Sequence, residues 1–469
     1  MLDAIRWDAD LIHRYDQVAP RYMTYPTPLQ FSGKLGSFDL LHALRRSRQA
    51  SRPLSLYIHL PFCIKACYHC RCIKACYHCR CNKVVTDDRS RALPYLERLE
   101  KEIELIACHL GADQMVEQLH FGGGTPTFLS HGELRRLMAH LHKHFHLQDD
   151  DHADFGIEID PREADWPTMG LLRELGFNRV SIGLPDLDPD VQRSINRLQT
   201  LRQTQTIIEA ARTLQFRTID IDLLFGLPLQ TPDSFARTLE TVIALQPDRV
   251  SVSSYVHSPE RYMAQRRINA ADLPTYDQLL AMRQYAVKRL GDAGYRYIGM
   301  DNFAMPDDEL AMAQEDGTLQ RNYQGYTTHG HCDLIGLGVS AISQIGDLHV
   351  QNSSDLTQYE QALDQGQLPT VRGLRCNQDD QIRRRVIQTL ICDFELRFGE
   401  IEELYGIDFK TYFQSSWSAL EQMAADGLIA LEDSAIRILP AGRLLANVVC
   451  MQFDHYLPPQ PVPYMSRAI

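Results

Sequence analysis

The chain has 469 residues, more than a single hydrophobic core usually organises, so its length predicts two or three domains. A formal net charge of −12 excludes the basic surface expected of a nucleic-acid-binding protein. No apolar run reaches the roughly 18–20 residues that span a bilayer, and the charged N-terminus lacks the core of a signal peptide, which predicts a cytoplasmic protein without a membrane anchor.

Strand and helix patterns alternate between residues 54 and 300. The residues before them are mixed and irregular, with a Pro- and Tyr-rich run at 19–28 that suits neither helix nor central strand. Such alternation predicts about six βαβ units around a parallel sheet, closed partly or fully into a barrel, with ligands at the carboxyl ends of the strands. The predicted strands are 54–60, 116–121, 155–159, 178–184, 218–228, 248–256 and 295–300, and the predicted helices are 91–110, 131–145, 166–176, 201–215, 232–246 and 275–294.

The pattern changes after about residue 370. Two amphipathic helices are predicted at 377–396 and 409–427, followed by a hairpin at 428–440 and an extended, proline-punctuated tail at 453–465. The chain is therefore divided into an N-terminal arm, a β/α barrel domain and a small, mostly helical C-terminal domain that carries the tail. The predicted boundaries are 1–50, 51–370 and 371–469.

The twelve cysteines are distributed unevenly. Seven fall between Cys63 and Cys81, and a tight group of this kind in a chain that looks cytosolic indicates metal binding rather than a disulfide framework. The other five are predicted to be small buried hydrophobic residues. They are Cys108, Cys332, Cys376, Cys392 and Cys450.

The cysteine segment contains the nine residues IKACYHCRC twice, at 64–72 and 73–81. Two successive Cys-x3-Cys-x2-Cys sets result, Cys63/Cys67/Cys70 and Cys72/Cys76/Cys79. Three thiolates on one loop can ligate three irons of a [4Fe–4S] cluster and leave the fourth iron open to a small molecule. A structural zinc ion is the alternative, but zinc sites usually use Cys-x2-Cys pairs, so the spacing favours the cluster.

This spacing after a first barrel strand resembles the signature of the radical S-adenosylmethionine superfamily. The blocks LYIHLPFC, HFGGGTPTFL, IEIDPRE, DIDLLFGLPLQT and NYQGYTTHGHCDLIGLGVSAIS, in this order, resemble the oxygen-independent coproporphyrinogen III oxidases. The resemblance runs from about residue 11 through the terminal YMSRAI. It implies a [4Fe–4S] cluster and S-adenosyl-L-methionine as cofactors.

The resemblance also implies the reaction and its partners. A 5′-deoxyadenosyl radical would start the decarboxylation of two coproporphyrinogen III propionates to vinyl groups, giving protoporphyrinogen IX for haem biosynthesis. The expected enzyme is a monomer that takes electrons from an unidentified low-potential donor and binds neither nucleic acid nor membrane. Two alternatives on the same scaffold are a haem-trafficking protein and a radical methylase.

Site residues follow from the same resemblance. Cys63, Cys67 and Cys70 are preferred as cluster ligands because a loop anchored at a strand end places its first thiolate reproducibly, while the second set stays open as an alternative. Tyr57 is predicted to be catalytic, and Arg21 is a candidate for binding substrate carboxylates. The residues implied in S-adenosylmethionine binding are Tyr57, His69, Gly123, Gly124, Thr125, Glu158, Arg197, Asp222, Val256 and Ile342.

Three positions depart from the family pattern. Pro185 stands where a glutamine is expected, which removes an amide side chain and a backbone N–H donor. Asn302 and Met305 stand where basic residues are expected. These departures are expected to affect the level of activity but not the class of cofactor.

Overall fold

The computed structural model describes residues 5–69, 82–150, 152–260, 262–457 and 466–467. In these ranges the strands are β1 Val18–Ala19, β2 Leu54–Leu60, β3 Phe62–Cys63, β4 Val84–Val85, β5 Met115–Gly123, β6 His146–Leu147, β7 Asp154–Ile159, β8 Arg179–Gly183, β9 Thr218–Phe225, β10 Arg249–Ser254, β11 Arg296–Gly299, β12 Asn302–Ala304, β13 Gln320–Asn322, β14 Gly325–Thr327, β15 Asp333–Leu337, β16 Ile342–Ile345, β17 Leu348–Asn352, β18 Thr370–Arg375, β19 Glu395–Arg397, β20 Ile429–Leu431, β21 Ala435–Ile438 and β22 Ser466–Arg467.

The α-helices of the same ranges cover the outside of the sheet and form most of the C-terminal region. They are α1 Ala9–Tyr15, α2 Ser37–Gln49, α3 Ala92–Ala107, α4 His131–His144, α5 Trp166–Glu174, α6 Pro189–Ser194, α7 Leu201–Thr213, α8 Pro232–Ala244, α9 Tyr276–Asp292, α10 Glu309–Glu315, α11 Leu356–Asp364, α12 Gln378–Asp393, α13 Phe398–Tyr405, α14 Phe409–Tyr412, α15 Trp417–Ala425 and α16 Ala446–Cys450. No helix among the described residues is long and apolar enough to cross a membrane.

One large sheet organises the chain, in the order β11-β12-β10-β9-β8-β7-β5-β2-β15-β16-β17-β18, with β6 paired to β5. The seven strands from β10 to β15 in this order run parallel to one another, and the flanking strands β12 and β16 pair with them antiparallel. The two end strands, β11 and β18, do not pair with each other in the described part of the chain. The prediction of a β/α barrel is confirmed in its partial form.

The local sequence explains why these elements form. Six of the seven residues of β2 are buried, as expected for a strand covered on both faces. Helix α4 begins at a capping box in which the Ser130 hydroxyl accepts from the Glu133 N–H and the Glu133 carboxylate accepts from the Ser130 N–H. Its residues Leu134, Leu137 and Leu141 then recur at helical spacing on one buried face.

Two parts of the chain differ from the prediction. The N-terminal 50 residues were expected to be irregular, but they contain α1 and α2, and α2 packs on β16, β17 and β18 through a short apolar face. The single helix expected at 409–427 is interrupted between α14 and α15. There the Ser416 hydroxyl donates to the Gln452 carbonyl at 2.5 Å, which ties the break to the C-terminal segment.

The C-terminal hairpin predicted at 428–440 is present as β20 and β21. The N-terminal arm meets the chain end where β1 pairs antiparallel with β22, Val18 lying opposite Arg467. Most of the predicted extended tail, from residue 458 to 465, lies outside the described residues. Of the five scattered cysteines, Cys376, Cys392 and Cys450 are buried as predicted, Cys332 is only partly buried, and Cys108, the C-cap residue of α3, is exposed and contradicts the prediction.

Candidate active site

The carboxyl ends of the parallel strands surround an open cleft of about 700 Å³. Its wall includes eight residues that the sequence singled out: Cys63, Cys67, Gly123, Gly124, Thr125, Glu158, Arg197 and Asp222. Cys70 and the second cysteine set, Cys72, Cys76 and Cys79, lie outside the described residues. The choice between the two sets therefore stays a prediction.

The glycine-rich turn at the end of β5 packs directly against the loop that leads to Cys63. The Gly124 N–H donates to the Leu60 carbonyl and the Thr125 N–H donates to the Phe62 carbonyl, both at 2.7 Å. A methyl group on Gly124 would lie 2.4 Å from the Phe62 oxygen. Glycine is therefore required here by the backbone of the cysteine loop itself.

Thr125 also approaches the first cysteine through its side chain. Its hydroxyl Oγ1 lies 3.8 Å from the Cys63 Sγ. The turn thus holds the start of the cysteine loop through two backbone hydrogen bonds and one side-chain contact.

A polar chain connects Glu158 to the strand that precedes the cysteines. The Gly123 N–H donates to Glu158 Oε2 at 3.2 Å, and His120 Nε2 lies 3.6 Å from Glu158 Oε1. The His120 ring stacks on Tyr57 with ring centroids 6.0 Å apart, and the Tyr57 hydroxyl bonds to His59 Nδ1 at 3.2 Å. Tyr57 itself lies behind the cleft wall and is coupled to Glu158 through His120.

Two arginines flank the second cysteine. Arg162 Nη2 lies 3.7 Å and Arg197 Nη1 lies 3.8 Å from the Cys67 Sγ. Both also pair with Asp160, at 2.6 and 2.9 Å. Burial alone would raise the pKa of Asp160, but the two guanidinium groups outweigh it and lower that pKa to about 2. Positive charge beside a thiol favours the thiolate, the form that ligates iron.

Asp222 is a buried carboxylate at the floor of the cleft. The hydroxyls of Ser181, at 3.0 Å, and Ser251 both donate to it. Two donors hold the carboxylate in a defined orientation, which suits an acceptor for the hydroxyl groups of a ligand.

The remaining predicted residues do not line the cleft. His69 is fully buried and its ring nitrogens have no hydrogen-bond partner among the described residues. Burial lowers its pKa to about 4, so the ring is neutral. Ile342 packs with Tyr57 and Tyr323 in a neighbouring apolar cluster. Val256 follows β10, and its carbonyl accepts from Gln265 Nε2 at 3.3 Å.

The residues that depart from the family pattern contact the backbone or the hydrophobic core. The Pro185 carbonyl, two residues beyond β8, accepts from the Leu224 N–H at 3.1 Å. The Asn302 side chain donates to the Met300 carbonyl at 3.0 Å. Met305 packs against the hydrophobic core.

Sequence reasoning missed four residues of this region: His59, His120, Asp160 and Arg162. The signal for the last two was available, since both occur in the IEIDPRE block just beyond the end of β7. The histidines sit within strand patterns, where a buried structural residue was the simpler interpretation.

Residues 57–242 match the radical SAM superfamily, and residues 376–445 match the HemN C-terminal domain. The chain is 63% identical over 469 residues to an oxygen-independent coproporphyrinogen III oxidase of Pseudomonas aeruginosa, covering 100% of both chains. It is 45% identical over 453 residues to the Escherichia coli protein of the same name, covering 97% of this chain and 96% of that one.

A solved structure, described as coproporphyrinogen III oxidase (HemN) from Escherichia coli and as a radical SAM enzyme, superposes with a TM-score of 0.90. Its sequence identity is 44%, and the match covers 97% of this chain and 100% of that one. Both the sequence relatives and this structure extend over nearly the whole chain. The chain therefore belongs to the oxygen-independent coproporphyrinogen III oxidases of the radical SAM superfamily.

Proposed function

We propose that this chain catalyses the oxygen-independent oxidative decarboxylation of two propionate groups of coproporphyrinogen III, giving the vinyl groups of protoporphyrinogen IX. The observation that carries the proposal is the 63% identity, over the full length of both chains, to a relative that bears this activity in its name. The cleft at the strand ends supports it with thiol, carboxyl and guanidinium groups in one place.

Radical SAM enzymes bind a [4Fe–4S] cluster and S-adenosyl-L-methionine. The donor set fits the cluster, because Cys63 and Cys67 bring soft thiolate ligands to an open cleft and two arginines favour the ionised form of Cys67. Cys70 is the proposed third ligand. When bound, the two cofactors together supply a 5′-deoxyadenosyl radical.

The residues around the cleft would hold the two cofactors in a fixed orientation. Gly124 and Thr125 hold the loop of Cys63, and Asp160 orients the arginines beside Cys67. Glu158 and Asp222 present carboxylates to the cleft for the polar groups of S-adenosylmethionine. The roles of Tyr57, His69, Arg197, Val256 and Ile342 in cofactor binding are proposed on the family resemblance.

The proposal extends to organisation and partners. We infer an arm, a barrel domain and a C-terminal domain with boundaries near residues 50 and 370, in keeping with the separate match at 376–445. We also propose that the enzyme is a cytoplasmic monomer that receives electrons from a separate low-potential protein.

Anaerobic turnover tests the function. The reconstituted full chain, given dithionite, S-adenosylmethionine and coproporphyrinogen III, should form a divinyl product that chromatography with mass detection identifies, and Cys63→Ala should form none. Iron-loaded protein that binds haem tightly but leaves coproporphyrinogen III unchanged would instead identify a haem-trafficking protein. Methyl transfer to an acceptor would identify a methylase.

A further inference from the structure

A second, smaller pocket of about 220 Å³ lies beneath the N-terminal arm. Arm residues 22–25 form one side, and Ile387 and Ile391 of α12 form the other. Arg321 and Arg384 also line it, and none of its described lining residues is acidic. The described lining therefore contains two positive charges and no carboxylate.

Arg321 is the more unusual of the two arginines. It is only 7% exposed, and its Nε and Nη1 atoms have no hydrogen-bond partner in the described ranges. Its Nη2 meets the Met23 Sδ at 3.1 Å, and its guanidinium carbon lies 4.6 Å from the centre of the Tyr326 ring. A guanidinium stays charged in a protein, so its burial beside a thioether and an aromatic ring leaves donors that an anion can satisfy.

Arg384 is connected to Tyr323 through the buried His349. Its Nη1 lies 3.0 Å from His349 Nε2, and His349 Nδ1 lies 2.7 Å from the Tyr323 hydroxyl. Arginine only donates, so Nε2 must accept and Nδ1 must carry the proton. The histidine is thus neutral and does not balance the arginine, while Tyr323 belongs to the apolar cluster that includes Ile342.

Arg21 behaves differently, although its sequence position suggested a carboxylate-binding role. It forms an ion pair with Asp301, whose other oxygen lies 2.5 Å from Arg283 Nη1. Its charge is therefore balanced within the chain, whereas Arg321 forms no ion pair among the described residues.

We propose that Arg321, assisted by Arg384, binds one propionate carboxylate of the tetrapyrrole substrate. This inference rests on the proposed function. A buried guanidinium that keeps open N–H donors at Nε and Nη1 can pair with a carboxylate through a charge-assisted hydrogen bond. The pocket is much smaller than the cleft at the strand ends, which suits a single carboxylate arm rather than the macrocycle.

Binding of coproporphyrin III, the stable fluorescent form of the tetracarboxylate, tests the site without turnover. The probe is titrated into the full chain, into Arg321→Met, which keeps the side-chain volume without the charge, and into Arg321→Lys. The matched control is Arg202→Met, which removes one charge from a side chain that is 73% exposed. The tetra-amide of coproporphyrin, equal in length but uncharged, serves as the second probe.

Arg321→Met should weaken coproporphyrin III binding about tenfold to hundredfold, the range for a hydrogen bond to a charged group. Arg321→Lys should bind with intermediate affinity, and Arg202→Met within about twofold of the parent chain, a difference too small for one hydrogen bond. The tetra-amide should bind the parent chain and Arg321→Met equally. If Arg321→Met unfolds, the inference is tested by comparing the affinities of the two probes for the parent chain and for Arg321→Lys.

Parent-like affinity of Arg321→Met for coproporphyrin III overturns the inference, as does equal affinity of the parent chain for the two probes. Failure of the parent chain to bind coproporphyrin III overturns it as well. Binding lost in Arg321→Met without any decarboxylation by the parent chain would reject the proposed function and retain the carboxylate site. Decarboxylation by Arg321→Met with an unchanged kcat/KM would reject the carboxylate site and retain the proposed function.

Discussion

Substitution of Gly124 by alanine should dislodge the first cluster ligand. The added methyl group would lie 2.4 Å from the Phe62 oxygen, 2.6 Å from the Pro61 carbonyl carbon and 2.8 Å from the Leu60 oxygen. All three neighbours are backbone atoms, so no side chain can rotate away. The loop that carries Cys63 must retreat by about 1 Å to restore ordinary contact.

The cost of this retreat can be worked from the structure. It weakens two backbone hydrogen bonds, from Gly124 and Thr125 to Leu60 and Phe62, worth about 1 kcal/mol each. Overpacking adds about 1–3 kcal/mol, so the free energy of unfolding should fall by about 3–5 kcal/mol. Metal–ligand distances tolerate only about 0.2 Å, so Cys63 should be lost as an effective ligand.

Iron and sulfide content after anaerobic reconstitution, together with urea unfolding, measure the two effects. Gly132→Ala is the matched control, because no atom lies within 4 Å of the added methyl group and the position is in the first turn of α4. It should retain full iron and gain up to about 1 kcal/mol from its better helix propensity. Full iron content in Gly124→Ala, with an unchanged free energy of unfolding, would refute the reasoning.

Other consequences can be measured on the same material. Cys63→Ala should lose the visible absorbance of the cluster while the exposed Cys108→Ala keeps it, and equal loss in both would contradict a specific ligand role. Asp160→Asn leaves two buried guanidinium groups without their shared anion, so urea unfolding should show a loss of about 3–5 kcal/mol; a change below about 1 kcal/mol would mean that the ion pairs contribute little. Burial raises the pKa of Glu102 from 4.5 to about 7, so the folded chain holds a proton that the unfolded chain releases. The free energy of unfolding should therefore fall by about 3 kcal/mol as the pH rises from about 4.5 to 7, and level off above that. Glu102→Gln should lack this contribution, and unfolding curves with the same pH dependence in both proteins would count against it.

Local patterns in the sequence were sufficient for the parallel strands from β2 to β10, but not for β15, which extends the parallel sheet beside β2, or for β11, which pairs antiparallel with β12 at the sheet edge. The six βα repeats follow from apolar residues at strand and helix spacing, because each period is a property of a short segment and the parallel sheet follows from their alternation. Helix α2 was not predicted because its buried face is short. Its stability comes from packing on β16, β17 and β18, and residue spacing within the helix does not reveal that contact.

The cysteine spacing likewise favoured an iron–sulfur cluster, since thiolates close in sequence are close in space, and S-adenosylmethionine was implied by the family resemblance of the surrounding blocks. The structure decided what surrounds the cysteines. Strand order and register bring both Arg162 and Arg197 to Cys67, although they are 35 residues apart in the sequence. The open donors of Arg321 depend on an arm almost 300 residues upstream, with 298 positions separating it from Met23. Such contacts join segments remote in sequence, so only the folded chain determines which charges are balanced and which remain available to a ligand.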